Sequence, residues 1–182
     1  NSNYKVAVID ADAQRSLTNW LEARKKYYRE ESTGIDSYPF DVRKLDEDLK
    51  QIKRKYHFII IDSPPSITYD TIQIIKSSDK VFVPVQPSPL DLMATVPFLN
   101  LVKQERKKTT VILNRVMPRA KLTDAMIIRL RYAGAKIARS RISGRIIYAE
   151  TFSVGRGVVD ISVTSEASKE IIKVGNEILR NF

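Results

Sequence analysis

The 182-residue chain is 43% hydrophobic and carries 31 Lys and Arg against 21 Asp and Glu, a formal charge of +10. That is enough apolar material for one domain with a proper core, and the excess of cations favours contact with polyanions. With no cysteine and one histidine, His57, disulfide staples, thiolate metal sites, cysteine nucleophiles and histidine-rich metal centres are excluded.

Strand-like aliphatic runs occur at 5–9, 58–61, 80–85 and 109–113, with a weaker one at 136–138. They are continuous rather than alternating, as expected for strands covered on both faces. Helical periodicity fills the gaps at 17–28, 45–56, 68–77, 90–107 and 122–132, and residues 165–182 read as a closing helix with Ile171, Ile172, Val174, Ile178 and Leu179 on its apolar stripe. Residues 38–42 are expected to add a strand. The segment 140–164, rich in Gly, Ser and Val, reads as a long folded loop with short elements. Strand-helix alternation of this kind predicts an α/β domain, a mostly parallel sheet with helices on both faces. No stretch reaches the roughly 20 apolar residues needed to span a bilayer, and the opening NSNYK lacks a secretory-signal pattern. A cytoplasmic protein is expected.

In open α/β sheets the ligand site lies beyond the carboxyl ends of the strands. Here those ends are Asp10-Ala11-Asp12, Asp62-Ser63-Pro64-Pro65, Gln86-Pro87-Ser88-Pro89 and Asn114-Arg115. His57-Phe58-Ile59-Ile60-Ile61-Asp62 has the form of a Walker B strand, whose terminal carboxylate orients waters around a magnesium ion beside nucleotide phosphates. The same Asp could equally cap a helix. Asp10 and Asp12 are open to both readings too, although two carboxylates so close repel unless a cation or a hydrogen-bond network offsets them.

Taken in order, Asp10-Ala11-Asp12-Ala13-Gln14 with Ser16-Leu17-Thr18-Asn19-Trp20, Phe58 to Pro65, Val83 to Asp91, Ile112 to Arg115 and a final stretch at 146–160 resemble the ParA-type partition ATPases of the deviant Walker A superfamily, especially their short ParF-like members. The resemblance runs through nearly the whole chain. It implies a P-loop NTPase-like fold, a single nucleotide-binding domain over 1–182, and ATP or ADP with Mg2+ as cofactors. It further implies Asp12 as the catalytic residue that positions the attacking water, Asp10 and Asp62 at the metal, Asn114 and Arg115 at adenine, and Pro87, Ser88 and Pro89 bordering that pocket. Asn offers both a donor and an acceptor to a base edge, and Arg can stack on the ring.

Two departures stand out. No KGGxGKT loop occurs in these residues, and Ala13 stands where the family usually has Pro. The loop would supply phosphate-cradling amides, a lysine and a magnesium-binding hydroxyl, so this chain alone is expected not to hydrolyse ATP. A truncated first βα unit is the expected reason.

Between Lys103 and Arg145 lie thirteen Lys or Arg residues and only two acids, Glu105 and Asp124. Arg119, Lys121, Arg129, Arg131, Arg139, Arg141 and Arg145 are the expected DNA contacts, of the backbone-tracking kind, since no base-reading motif accompanies them. The expected protein is an ATP-dependent DNA partition factor, nucleoid-associated and homodimeric in the ATP state, with non-specific DNA and a ParB-like centromere-binding protein as partners and no membrane partner. The alternatives are a MinD-like positioning ATPase that works at a membrane through an amphipathic C-terminal helix, or a non-hydrolysing DNA-binding or adaptor domain that has lost its phosphate loop. Trp20 and Tyr27-Tyr28 are expected to pack a helix on the sheet, His57 to sit near a strand entrance, and Arg24-Lys25-Lys26 to form a solvated helix end.

Overall fold

The computed structural model describes residues 4–29, 34–117 and 121–180. In chain order the elements are β1 (Val6–Asp10), α1 (Ser16–Tyr27), β2 (Ile35–Tyr38), α2 (Leu45–Ile52), β3 (Phe58–Asp62), α3 (Tyr69–Ser77), β4 (Lys80–Val85), α4 (Pro89–Gln104), β5 (Lys108–Leu113), α5 (Lys121–Tyr132), α6 (Ile146–Ser153), α7 (Val158–Ile161) and α8 (Glu166–Leu179). All the strand pairings are parallel. The chain divides into two compact units, Asn1–Ser77 with Phe152–Arg156, and Ser78–Thr151 with Gly157–Phe182.

In the first unit the strand order is β2-β1-β3. Strand alternation sends Ala7 and Ile9 of β1 to one face, where they meet Leu45, Leu49 and Ile52 of α2 and Ile74 of α3. Leu45, Leu49 and Ile52 recur at helical spacing, and the acidic first turn Asp46-Glu47-Asp48 suits the positive end of the α2 dipole. Val8, of opposite parity, is also buried, and α1 packs on β1. The α2 helix stops at Ile52, short of the expected Tyr56. Tyr56 is drawn to the sheet edge, where its hydroxyl donates to Asp36 at 2.7 Å and lies 3.0 Å from that of Tyr38. The strand expected at 38–42 instead runs over Ile35–Tyr38, because Pro39 has no N–H to donate and Asp41 turns the chain by accepting the backbone N–H groups of Arg43 and Lys44.

In the second unit β4 pairs with β5 in register from Lys80↔Lys108 to Val85↔Leu113. The weak run at 136–138 forms a single parallel bridge, Val111↔Ile137, rather than a full strand. One sheet face buries Val85, Val111 and Leu113 against Leu99 of α4 and Met126, Ile127 and Leu130 of α5. The other sets Ile112, Phe82 and Ala138 against Val174 and Ile178 of α8. Helices thus cover both faces, as expected. The 140–164 segment is more regular than its composition suggests, since α6 and α7 lie within it.

Candidate functional site at the strand tips

The first unit places its carboxylates by register. Asp10 and Asp62 are paired residues at the ends of adjacent parallel strands, and the ladder runs one step further through the Ala11 N–H to the Asp62 carbonyl at 2.8 Å. Their surroundings then separate their roles. Asp10 Oδ2 accepts the Thr18 N–H at 2.8 Å and the Thr18 hydroxyl at 2.7 Å, and Oδ1 accepts the Asp12 N–H at 3.2 Å. The residue in the N-cap position of α1, Arg15, has φ 54° and makes no side-chain cap bond. Asp10 does that work from the strand tip, eight residues upstream, by satisfying an otherwise orphaned N–H of the first turn. Thr18 is the partner that reading the sequence missed. Its signal, a hydroxyl residue in the first turn after an acidic loop, is too common to single it out.

Asp12 commits one oxygen to the Gln14 N–H at 2.9 Å in a tight Asx turn. No hydrogen-bond donor among the described residues reaches the Asp62 carboxylate. Loss of part of its water shell at the strand end, and then the negative charges of Asp10 and Asp12, hold the Asp62 carboxyl above the usual aspartate pKa. Three acids converge on one strand end, and the least satisfied of them is where a cation would relieve the repulsion.

Among the described residues no group of three or more Asp, Glu, His and Cys side chains could hold a metal ion by itself.

The second unit carries the other strand-end motifs. The Asn114 N–H continues the β5 ladder to the Val85 carbonyl at 2.9 Å, and its side-chain carbonyl accepts the Arg115 N–H at 2.9 Å. The amide NH2 of Asn114 is therefore the group left for a ligand. Arg115 is exposed and left-handed at φ 51°. Just beyond it, bonds from the Val116 N–H to Ile142 O (2.9 Å) and from the Gly144 N–H to Val116 O (3.1 Å) fix the chain. Ser88 caps α4, accepting the Asp91 N–H at 3.1 Å, with Pro89 in the first turn. Asp91 reciprocates, accepting from the Ser88 hydroxyl and the Gln86 N–H. The Ser88 and Asp91 side chains thus hold the 87–89 turn through local hydrogen bonds.

Of the expected DNA contacts, Arg129, Arg131, Arg139 and Arg141 are exposed, and the first two lie in the last turn of α5. Arg119 and the side chain of Lys121 lie outside the described residues. Arg145 is not a free surface cation, because its guanidinium pairs with Glu170 at 2.8 Å. Arg24 also departs from the expected solvated helix end. It stacks over Trp20 and Tyr28 and donates to the Gly155 carbonyl at 3.2 Å. Trp20 packs on Phe152 and donates to Arg156 O, rather than resting on the sheet. His57 does sit at a strand entrance, accepting the Lys5 N–H at 2.9 Å.

Known proteins share this fold and parts of this sequence. A family model described as an AAA domain matches residues 35–115. The chain is 27% identical over 182 residues to the maintenance of carboxysome distribution protein A of Halothiobacillus neapolitanus, covering 96% of this chain and 83% of that protein. It is 26% identical over 144 residues to a ParA family protein of Mycoplasma genitalium, covering 73% of this chain and 54% of that one, so the chain spans little more than half of this second relative. Among solved structures, the ATP complex of McdA from Cyanothece shares its fold with a TM-score of 0.79 at 18% identity, over 97% of this chain and 86% of the other. In its fold, in the order of its strand-end motifs and in sequence, the chain is similar to ParA family proteins.

Proposed function

We propose that the chain is the core of an ATP-dependent partition or positioning protein that binds and hydrolyses ATP, dimerises in the ATP state, holds DNA without reading its sequence and responds to a ParB-like partner. The observation that carries this reading is the Asp10↔Asp62 pair with Asp12 beside it, an unrelieved concentration of negative charge at a strand end. In this reading Asp62 orients magnesium-bound water, Asp12 uses its uncommitted oxygen to hold the attacking water, and Asp10 fixes α1 to the strand tip through Thr18. Magnesium, when bound, supplies charge that offsets the phosphate oxygens. Asn114 donates to the adenine edge, Arg115 stacks on the ring, and the Pro87-Ser88-Pro89 turn borders the base. The ATP complex of the related McdA supports a nucleotide ligand, and the carboxysome-distribution relative supports a positioning role.

For the DNA contact, exposed Arg129, Arg131, Arg139 and Arg141 support a phosphate-tracking surface. A membrane role is disfavoured by the use already made of α8, since Val174 and Ile178 of its apolar face pack on Ile112, Ala138 and Phe82.

The test is ATP turnover and nucleotide binding by the full-length protein and its Asp12→Ala variant. Retained binding with lost hydrolysis is expected; unchanged hydrolysis overturns the assignment.

A further inference from the structure

A second charged feature lies within the second unit and shares Arg139 with the basic 103–145 stretch. It is a cleft of about 470 Å³ between α8 and the 136–140 segment, with Lys136 and Arg139 on one side and Lys173 and Arg180 on the other. Ser140 and Asn176 add neutral hydrogen-bonding groups. The one acid of the lining, Glu177, turns its oxygens to the N–H groups of Arg139 and Ser140, at 2.8 Å each. Burial pushes the Glu177 carboxyl up, but these two amides and the nearby Arg139 charge outweigh it and keep it below the usual glutamate pKa.

The sheet adds to this charge. Alternation along β4, β5 and the 136–138 run puts Lys80 with Phe82, Lys108 with Thr110 and Ile112, and Lys136 with Ala138 on the face that α8 covers. Lys80 and Lys108 are the first residues of β4 and β5. The three lysines are close enough to act on one another, because burial first, and then the charges of Lys136 and Lys108, hold the Lys80 ammonium below the usual lysine pKa. Of the three, Lys136 lines the cleft, and the nearby ammonium charges of Lys80 and Lys108 add to its attraction for an anion.

We propose that this cleft, built wholly from residues of the second unit, is a binding site for a compact phosphate-bearing anion. It opens to solvent and is lined almost wholly by charged and polar side chains, with cations on two sides and neutral hydrogen-bonding groups between them. A duplex presents phosphates along an extended convex backbone and is met by an open surface such as the exposed face of α5. The inference does not rest on the ATPase reading.

The experiment is titration of the full-length protein, its nucleotide site first saturated with ADP and Mg2+, with inorganic tripolyphosphate, near physiological salt, by calorimetry and by amide NMR at Ser140 and Asn176. Saturable one-to-one binding is expected, with shifts at both amides and about tenfold or greater weakening in Lys173→Ala/Arg180→Ala and in Lys136→Gln. Arg129→Ala/Arg131→Ala and Asp62→Asn should leave it unchanged. Binding that survives the cleft variants, or that disappears with Asp62→Asn, overturns the proposal. So does a cleft that fails to take up tripolyphosphate while its variants weaken duplex binding, which would make it part of a DNA track.

Discussion

Asp10 and Asp62 are register partners at the ends of β1 and β3, yet Asp10 accepts three hydrogen bonds and the Asp62 carboxylate accepts none from the described residues. Two acids that look alike in sequence are therefore divided by geometry into a structural anchor and an exposed carboxylate held beside like charges.

The first prediction concerns Asp62. An acid whose folded pKa is raised destabilises the fold wherever it is ionised, so the penalty is present near neutral pH and disappears as the pH falls below the unfolded aspartate pKa of 3.8. Asp62→Asn should raise the urea midpoint of the ligand-free protein at pH 7, leave it unchanged near pH 3, and weaken magnesium-dependent nucleotide binding. A lower midpoint at pH 7 would show that the repulsion is already relieved.

Asp10 should behave in the opposite way. Asp10→Ala removes the acceptor of the Thr18 N–H and hydroxyl and leaves the first turn of α1 uncapped, at a cost of about 1–2 kcal/mol. Thr18→Val, which keeps the N–H bond, should cost less. Asp12→Ala, which loses a single turn bond to Gln14, should be milder than Asp10→Ala. Denaturant titration of the three variants gives the order directly.

Gly155 marks a close approach. Its φ is +71°, and a Cβ there would lie 2.1 Å from the Arg24 backbone nitrogen and 2.4 Å from the Ala23 carbonyl carbon. Gly155→Ala should destabilise by roughly 3 kcal/mol or more, through backbone strain and a clash with a helix that cannot give way. Gly134→Ala, at φ +81° with nothing within 4 Å, should cost only about 1 kcal/mol. Thermal melts of the pair separate the clash from the dihedral cost.

Glu170 sets an acid limit. Burial pushes its carboxyl up, but bonds from Arg145, the Ser143 N–H and hydroxyl, and Tyr148 outweigh this and hold it down to about 2. The stability it contributes is fully present above its unfolded value of 4.5 and is lost as the pH falls from there towards 2. Glu170→Gln should lower stability at pH 7 and flatten the pH dependence over that window, as followed by urea midpoints.

The sequence by itself determined the class of fold. Continuous aliphatic runs such as Phe58-Ile59-Ile60-Ile61 can be satisfied only as covered strands, and stripes such as Leu45, Leu49 and Ile52 only as helices packed upon them, because burial of apolar surface acts through local periodicity. It also put carboxylates at the strand tips, since the residue that follows a buried run must leave the core. What only the tertiary structure decided was which partner each polar group meets. Asp10 finds Thr18 across a turn, Arg145 finds Glu170 twenty-five residues away, and Arg24 finds Gly155 across 131. Hydrogen bonds and ion pairs are directional and short-ranged, so they depend on distances that only the folded chain creates. Lys80, Lys108 and Lys136 are a similar case, because they become neighbours only through the register of β4 on β5 and the bridge from Val111 to Ile137.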